Sequence, residues 1–133
     1  GDLLDGSAEE ALRRQLEVNL YGALRLTRAF APALGARGGA VANLASVASL
    51  VNFPLLPTYS ISKAATHSLT QALRAALGAR GVHVAGVYPG PIDTDMAREI
   101  PVEKTSPDVA AHAILDGLEA GDPDVFPDGM SRQ

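Results

Sequence analysis

Ala40-Val41-Ala42-Asn43-Leu44-Ala45-Ser46 and Val82-His83-Val84-Ala85-Gly86-Val87-Tyr88 are two short, mainly apolar runs. The first lies between Gly38-Gly39 and a polar loop, and the second is cut off by Pro89-Gly90-Pro91. Continuous apolar runs of this length, bounded by glycine and proline, are the pattern of parallel strands buried on both faces. Between them lies a loop rich in Ser, Val and Pro, from Val47 to Pro57, and then a stretch dense in alanine and leucine from Thr58 to Arg80. That stretch reads as a helix stopped near Gly78 or Gly81. A strand, a helix and a second strand in this order imply a right-handed crossover within a parallel sheet.

The same reading extends outward. Before the first run, Leu12, Leu16, Leu20, Ala23, Leu24, Thr27 and Phe30 recur at three- and four-residue steps. They predict one amphipathic helix from about Ala8 to Leu34, ended by Gly35 and the Gly38-Gly39 pair. Ser7 with Glu10 has the spacing of a capping box. After the second run, Ser106-Pro107-Asp108 is a helix start with proline in its first turn, and that helix runs to about Ala120. Asp124-Val125-Phe126-Pro127 suits a brief last strand. The order α-β-α-β-α-β gives the α/β class: a partial Rossmann-like parallel sheet with flanking helices, in a single domain over residues 1–133.

Composition narrows the function classes. The chain has 133 residues, 47% of them hydrophobic, and a net charge of −4. Such a balance has no bulk attraction for phosphate backbones and argues against a nucleic-acid partner. With no cysteine, disulfide scaffolds, thiolate metal sites and cysteine nucleophiles are excluded. The most apolar stretch, Gly38 to Pro57, is interrupted by Asn43, Ser46, Ser49, Asn52 and Pro54, so no membrane span is expected. The start lacks the order of a signal peptide, and a soluble cytoplasmic protein is the default expectation. Gly1 stands where an initiator Met would be, which suggests a piece of a longer chain.

In open parallel sheets, ligands bind beyond the carboxyl ends of the strands. The first strand delivers Ser46 there, and the second delivers Pro89, Gly90 and Ile92. The start of the intervening helix carries Tyr59 and Lys63, which share a face because they are four residues apart. An ammonium beside a phenol favours phenolate, so the pair predicts a lowered Tyr59 pKa and proton transfer. Taken alone, Tyr59 and Lys63 read as a helix-surface pair, Ser46 as a turn residue, and Asn19 as an exposed or kinked helix position. Their joint placement at one edge of one sheet is what gives them a functional reading.

Four segments, in order, resemble the later half of a short-chain dehydrogenase/reductase: Glu17-Val18-Asn19-Leu20-Tyr21-Gly22, Asn43-Leu44-Ala45-Ser46-Val47, Tyr59-Ser60-Ile61-Ser62-Lys63-Ala64 and Tyr88-Pro89-Gly90-Pro91-Ile92-Asp93-Thr94. The resemblance implies the C-terminal part of a Rossmann-like fold and reversible hydride transfer between NAD or NADP and a small carbonyl or alcohol. It implies Tyr59 as general acid/base, with Lys63 holding the nicotinamide ribose and lowering the Tyr59 pKa. Ser46 would hydrogen-bond the reacting oxygen, and Asn19 would fix a water that continues the relay from Lys63. Pro89 and Gly90 would admit the nicotinamide to the backbone, with Ile92 and Thr94 at its carboxamide. In this family the two long helices pack between subunits, which implies a homo-oligomer through helices around 8–34 and 58–80.

Two family features are absent: the glycine-rich fingerprint that seats the pyrophosphate, and the Asn-Ala-Gly motif of the fourth strand. The piece alone is therefore expected to bind a dinucleotide weakly or not at all, with Ala40 to Ser46 left as an open sheet edge. A non-catalytic, truncated homologue acting as an oligomerising module is the alternative. His67, His83 and His112 are scattered, Asp93 and Asp95 suit a turn, and Asp122, Asp124 and Asp128 miss calcium-loop spacing, so no metal site is expected. Met96, Ile100, Val102, Phe53, Leu55 and Leu56 suit either an apolar substrate pocket or ordinary packing.

Overall fold

The computed structural model describes residues 3–98 and 101–133. The elements run α1 (Ala8–Leu16), a wide π-helical segment (Glu17–Gly22), α2 (Ala23–Arg37), β1 (Ala40–Leu44), α3 (Pro57–Gly78), β2 (His83–Val87), α4 (Pro107–Ala120) and β3 (Asp124–Val125), with short 3-10 turns at Val47–Ser49 and Asp95–Ala97. All pairings are parallel in the order β1-β2-β3, with Ala40 opposite His83 and Val87 opposite Val125.

Alternation along β2 shows how both faces are covered. Val84 packs in a core with Ala31 of α2 and Leu73 and Leu77 of α3, and Val41 leans on the same cluster. Val87 and its partner Val125 point to the opposite face, since odd and even positions of a strand face apart. There Val125 lies against α4 so closely that a Cβ on Gly117 would come within 2.7 Å of it. Helices α2 and α3 thus cover one face and α4 the other. Ala85 and Val87 are fully buried between them.

Several local expectations need correction. The predicted first helix is continuous in course but widens around Asn19, and it runs on to Arg37, where Gly38 turns left-handed at φ +62°. Gly35 lies inside it. The capping box at Ser7 does not form: Asp5 accepts the Ser7 N–H, while Glu10 pairs with Arg14 across one helical turn. The Ser7 N–H and the Glu10 carboxylate are thus each taken by another partner. The first strand stops at Leu44, because Ser46 leaves the sheet to cap the following turn.

Position in the ladder also defines an open edge. Gly39 O accepts from His83 N at 3.1 Å, and Ala45 N donates to Val87 O at 2.8 Å. The odd-numbered residues between them therefore spend their backbone groups on β2, and those of Ala40, Ala42 and Leu44 point away from it. Among the described residues no strand pairs with that edge. A groove of about 760 Å³ runs along it, lined by Val18, Leu26, Phe30 and Leu34 and by β1 itself. Val18, Leu26 and Phe30 are exposed at 72%, 64% and 60%, which is a large apolar surface for a chain of this size.

Candidate active site

The site forms where β1 and β2 end and α3 begins. Ser46 is extended (φ −172°) and its side chain accepts the Ala48 N–H at 3.1 Å, while Ser49 Oγ accepts the Ser46 N–H at 3.2 Å. These reciprocal bonds form a capping box and fix the serine in place. Ser46 Oγ also lies 3.5 Å from Pro89 O, which accepts the Val47 N–H at 3.1 Å, so the tips of β1 and β2 are tied together. Pro57 occupies the first turn of α3, where a missing N–H costs nothing, and Tyr59 follows within that turn.

Tyr59 is half-buried. Burial pushes its phenol above the ordinary tyrosine pKa, and a side-chain hydrogen bond with Ser46 opposes the rise. The expected lowering by Lys63 is not found. The Lys63 ammonium lies 5.7 Å from the centre of the Tyr59 ring and donates at 2.8 Å to Leu44 O, on the open edge of β1. It therefore rests beside the ring and not against the hydroxyl. Burial lowers the Lys63 pKa. In this state the phenol is held protonated.

Asn19 sits in the π-helical segment, a geometry that is rare and recurs at functional sites. Its Nδ2 donates to Ser62 Oγ at 3.0 Å, and Ser62 Oγ donates to Tyr59 O at 2.8 Å. Thr66 Oγ1 contacts Asn19 O from the next turn of α3. Asn19 is thus joined to the Tyr59 turn through Ser62, which is fully buried. Sequence reasoning passed over Ser62, although Ser62, Thr66 and Thr70 fall at four-residue steps and mark a polar stripe on α3. Thr70 receives Asn43 Nδ2 of β1 at 3.1 Å.

Ser46, Tyr59, Lys63 and Pro89 are therefore brought together, with Asn19 two hydrogen bonds behind Tyr59. Gly90, half-buried beside Pro89, gives its N–H to Asp128 Oδ2 at 2.7 Å. Ile92 and Thr94 lie further out, on a loop closed at its base where Ile92 bridges Thr105. The Asp93 N–H donates to Thr105 O at 2.9 Å, and Thr94 is exposed. Phe53, Leu55, Leu56 and Val102 are 41%, 86%, 45% and 42% exposed, so they are not ordinary core packing. Ile100 lies outside the described residues. His67 is a structural residue: its Nδ1 bonds Tyr88 OH at 2.7 Å. Among the described residues no cluster of three His, Asp or Glu is arranged to hold a metal, and no helix is long and apolar enough to cross a membrane.

The donors present fit the ribose end of a nicotinamide cofactor. A half-buried ammonium and phenol stand side by side and Ser46 reaches Pro89, whereas the sequence has no glycine-rich strand-to-helix turn for a pyrophosphate.

Known proteins of similar sequence and fold give the family. The family model described as short chain dehydrogenase matches residues 2–105. The galactitol 2-dehydrogenase (L-tagatose-forming) of Cereibacter sphaeroides is 42% identical over 87 residues, which is 63% of this chain and 34% of that protein. The probable galactose dehydrogenase GalD of Rhizobium meliloti is 35% identical over 98 residues, 73% of this chain and 38% of that protein. A short chain dehydrogenase from Burkholderia cenocepacia, solved in complex with NADP, superposes with a TM-score of 0.92 at 40% identity, covering 98% of this chain and 55% of that one. The chain thus spans just over half of the Burkholderia protein and about a third of these two curated relatives. It belongs to the short-chain dehydrogenase family.

Proposed function

We propose that this chain carries the proton-handling half of an NAD(P)-dependent oxidoreductase that interconverts a small carbonyl compound and its alcohol. The observation that carries the reading is the meeting of Ser46, Tyr59 and Lys63 at one end of the sheet, where the Ser46 side chain opposes the rise of the Tyr59 pKa and the Lys63 ammonium lies 5.7 Å from the centre of the Tyr59 ring. When bound, the cofactor supplies the hydride. Tyr59, kept protonated by burial, donates its proton to the carbonyl oxygen in reduction and takes one from the alcohol in oxidation. Ser46 orients the same oxygen. Lys63, once it leaves Leu44 O, holds the nicotinamide ribose and favours the phenolate needed for oxidation. Asn19 positions a water that continues the relay from Lys63. Pro89 and Gly90 lie against the nicotinamide, with Ile92 and Thr94 at its carboxamide.

The chain by itself binds NAD(P)H weakly, because it has no pyrophosphate cradle. Titration calorimetry showing micromolar binding to the 133-residue chain would contradict that part. The activity is tested in a chimera where this chain replaces the stretch it matches in the Burkholderia protein. Oxidation of NADPH with simple ketones or aldehydes is expected. A folded chimera that oxidises neither NADH nor NADPH with any of them would overturn the reading.

A second reading, a non-catalytic module that assembles through its helices, is favoured by the exposed Val18, Leu26 and Phe30 and by the unpaired edge of β1. An inactive chimera together with a self-associating chain would select it.

A further inference from the structure

Asp128 has no part in the proton relay, yet it is only 4% exposed. A buried carboxylate is costly unless its oxygens are hydrogen-bonded. Here both are: Oδ2 accepts the Gly90 N–H at 2.7 Å, and Oδ1 accepts the Ser131 N–H at 2.9 Å. The tail is folded back to allow this. Ser131 Oγ donates to Asp128 O and accepts the Asp128 N–H, Arg132 Nε donates to Phe126 O, and the Phe126 ring stacks on Tyr88 at 5.4 Å. Gly90 in turn leaves no room for a side chain, since a Cβ there would lie 2.8 Å from Asp128 Oδ1.

Gly90 belongs to the segment that the family model matches, whereas Asp128 lies beyond its end at residue 105. We infer that Asp128 is a positioning residue, whose buried carboxylate sets the conformation of the Pro89-Gly90 elbow by holding the Gly90 N–H. That this elbow faces a nicotinamide rests on the function proposed above; the clamp itself does not. The alternative role for such a carboxylate, general stabilisation of the tail, makes a different prediction. It would affect the sheet as much as the elbow, whereas a clamp acts on Gly90 first.

Amide hydrogen exchange on the 133-residue chain separates the two. In the wild type, the Gly90 N–H is protected although it lies outside the sheet. In Asp128→Ala, the Gly90 and Ser131 amides lose their acceptor and exchange about tenfold faster or more relative to Val87 in β2. In Asp128→Asn, the side chain keeps one oxygen, so at least one of the two amides speeds up. Ser131→Ala, which spares the carboxylate, leaves Gly90 within about twofold of the wild type. Gly90 exchanging as a free loop amide in the wild type would overturn the inference. So would a Gly90 rate that rises in the Asp128 variants only in step with Val87. Should Asp128→Ala fail to fold, the wild-type protection and the Asp128→Asn pattern decide the question. No cofactor enters the experiment, so failure of the oxidoreductase reading and failure of the clamp are seen separately.

Discussion

Replacing Tyr88 by Phe removes one hydroxyl from the buried end of β2. That hydroxyl shares a 2.7 Å hydrogen bond with His67 Nδ1 and donates to Asp124 Oδ1 at 3.4 Å, while Arg74 pairs with Asp124 at 3.0 Å. Tyr88 is 1% exposed, but His67 is only half-buried and can regain water when its partner goes. The loss is therefore set near the lower end for a buried hydrogen bond, about 1–2 kcal/mol, or roughly 3–10 °C in Tm for a domain of this size. The alkaline limb gives a second signature. Burial, then the charge and hydrogen bond of Asp124, push the Tyr88 pKa up to about 12, with Arg74 pulling the other way. The folded chain thus keeps this proton between pH 10 and 12, where an unfolded tyrosine releases it. The contribution is complete below pH 10 and is lost as pH rises through 12. Two pH units correspond to at most about 2.7 kcal/mol. Water reaching the exposed sides of Asp124 and Arg74 reduces this to about 1–2 kcal/mol. Urea unfolding followed by circular dichroism should therefore show wild type and Tyr88→Phe differing at pH 8 and converging towards pH 12. Equal stability at pH 8, or a gap that stays constant to pH 12, would refute the account of this network.

Three further outcomes are expected, one in this network and two elsewhere. Gly86→Ala places a Cβ 2.3 Å from the Tyr88 hydroxyl and 2.7 Å from its ring, so the ring must leave His67. A loss of about 2–4 kcal/mol is expected in the urea midpoint, and an unchanged midpoint would contradict the packing. Thr70→Val strips the buried Asn43 amide of its acceptor and should cost about 1–3 kcal/mol, whereas Thr70→Ser should cost clearly less. Equal losses in the two variants would assign the effect to shape instead. Ser46→Ala removes the hydrogen bond that holds the Tyr59 pKa down, so spectroscopic titration of the tyrosines should show one phenol moving further up. A downward move would remove Ser46 from the site.

The α/β class was legible because β1 and β2 are apolar runs without helical periodicity, punctuated by glycine and proline. The open edge was legible only through the family resemblance, which implies strands that this sequence does not contain beside a run of the buried type. Tyr59 and Lys63 were legible through helical spacing, and Asn19 stood out as a poor helix former at a position that proves to be π-helical. Other features depended on contacts that local patterns do not encode. The Tyr59 pKa moves up because burial outweighs the hydrogen bond with Ser46, while Lys63 turns to the Leu44 carbonyl, a partner exposed by the unpaired edge. Asp128 reaches Gly90 from 38 residues away, and nothing in its neighbours' spacing announces that contact. The Ser7 box failed for the opposite reason, because competing partners lay close at hand in Asp5 and Arg14.

In the proposed reaction the Tyr59 phenol exchanges a proton with the reacting oxygen. The measurement that tests it most directly is kcat/KM for NADPH-dependent ketone reduction by the chimera carrying this chain, with and without Tyr59→Phe. Loss of a positioned acid predicts a fall of about a hundredfold or more with the fold intact. A folded Tyr59→Phe chimera that reduces the ketone at the unaltered rate would contradict it.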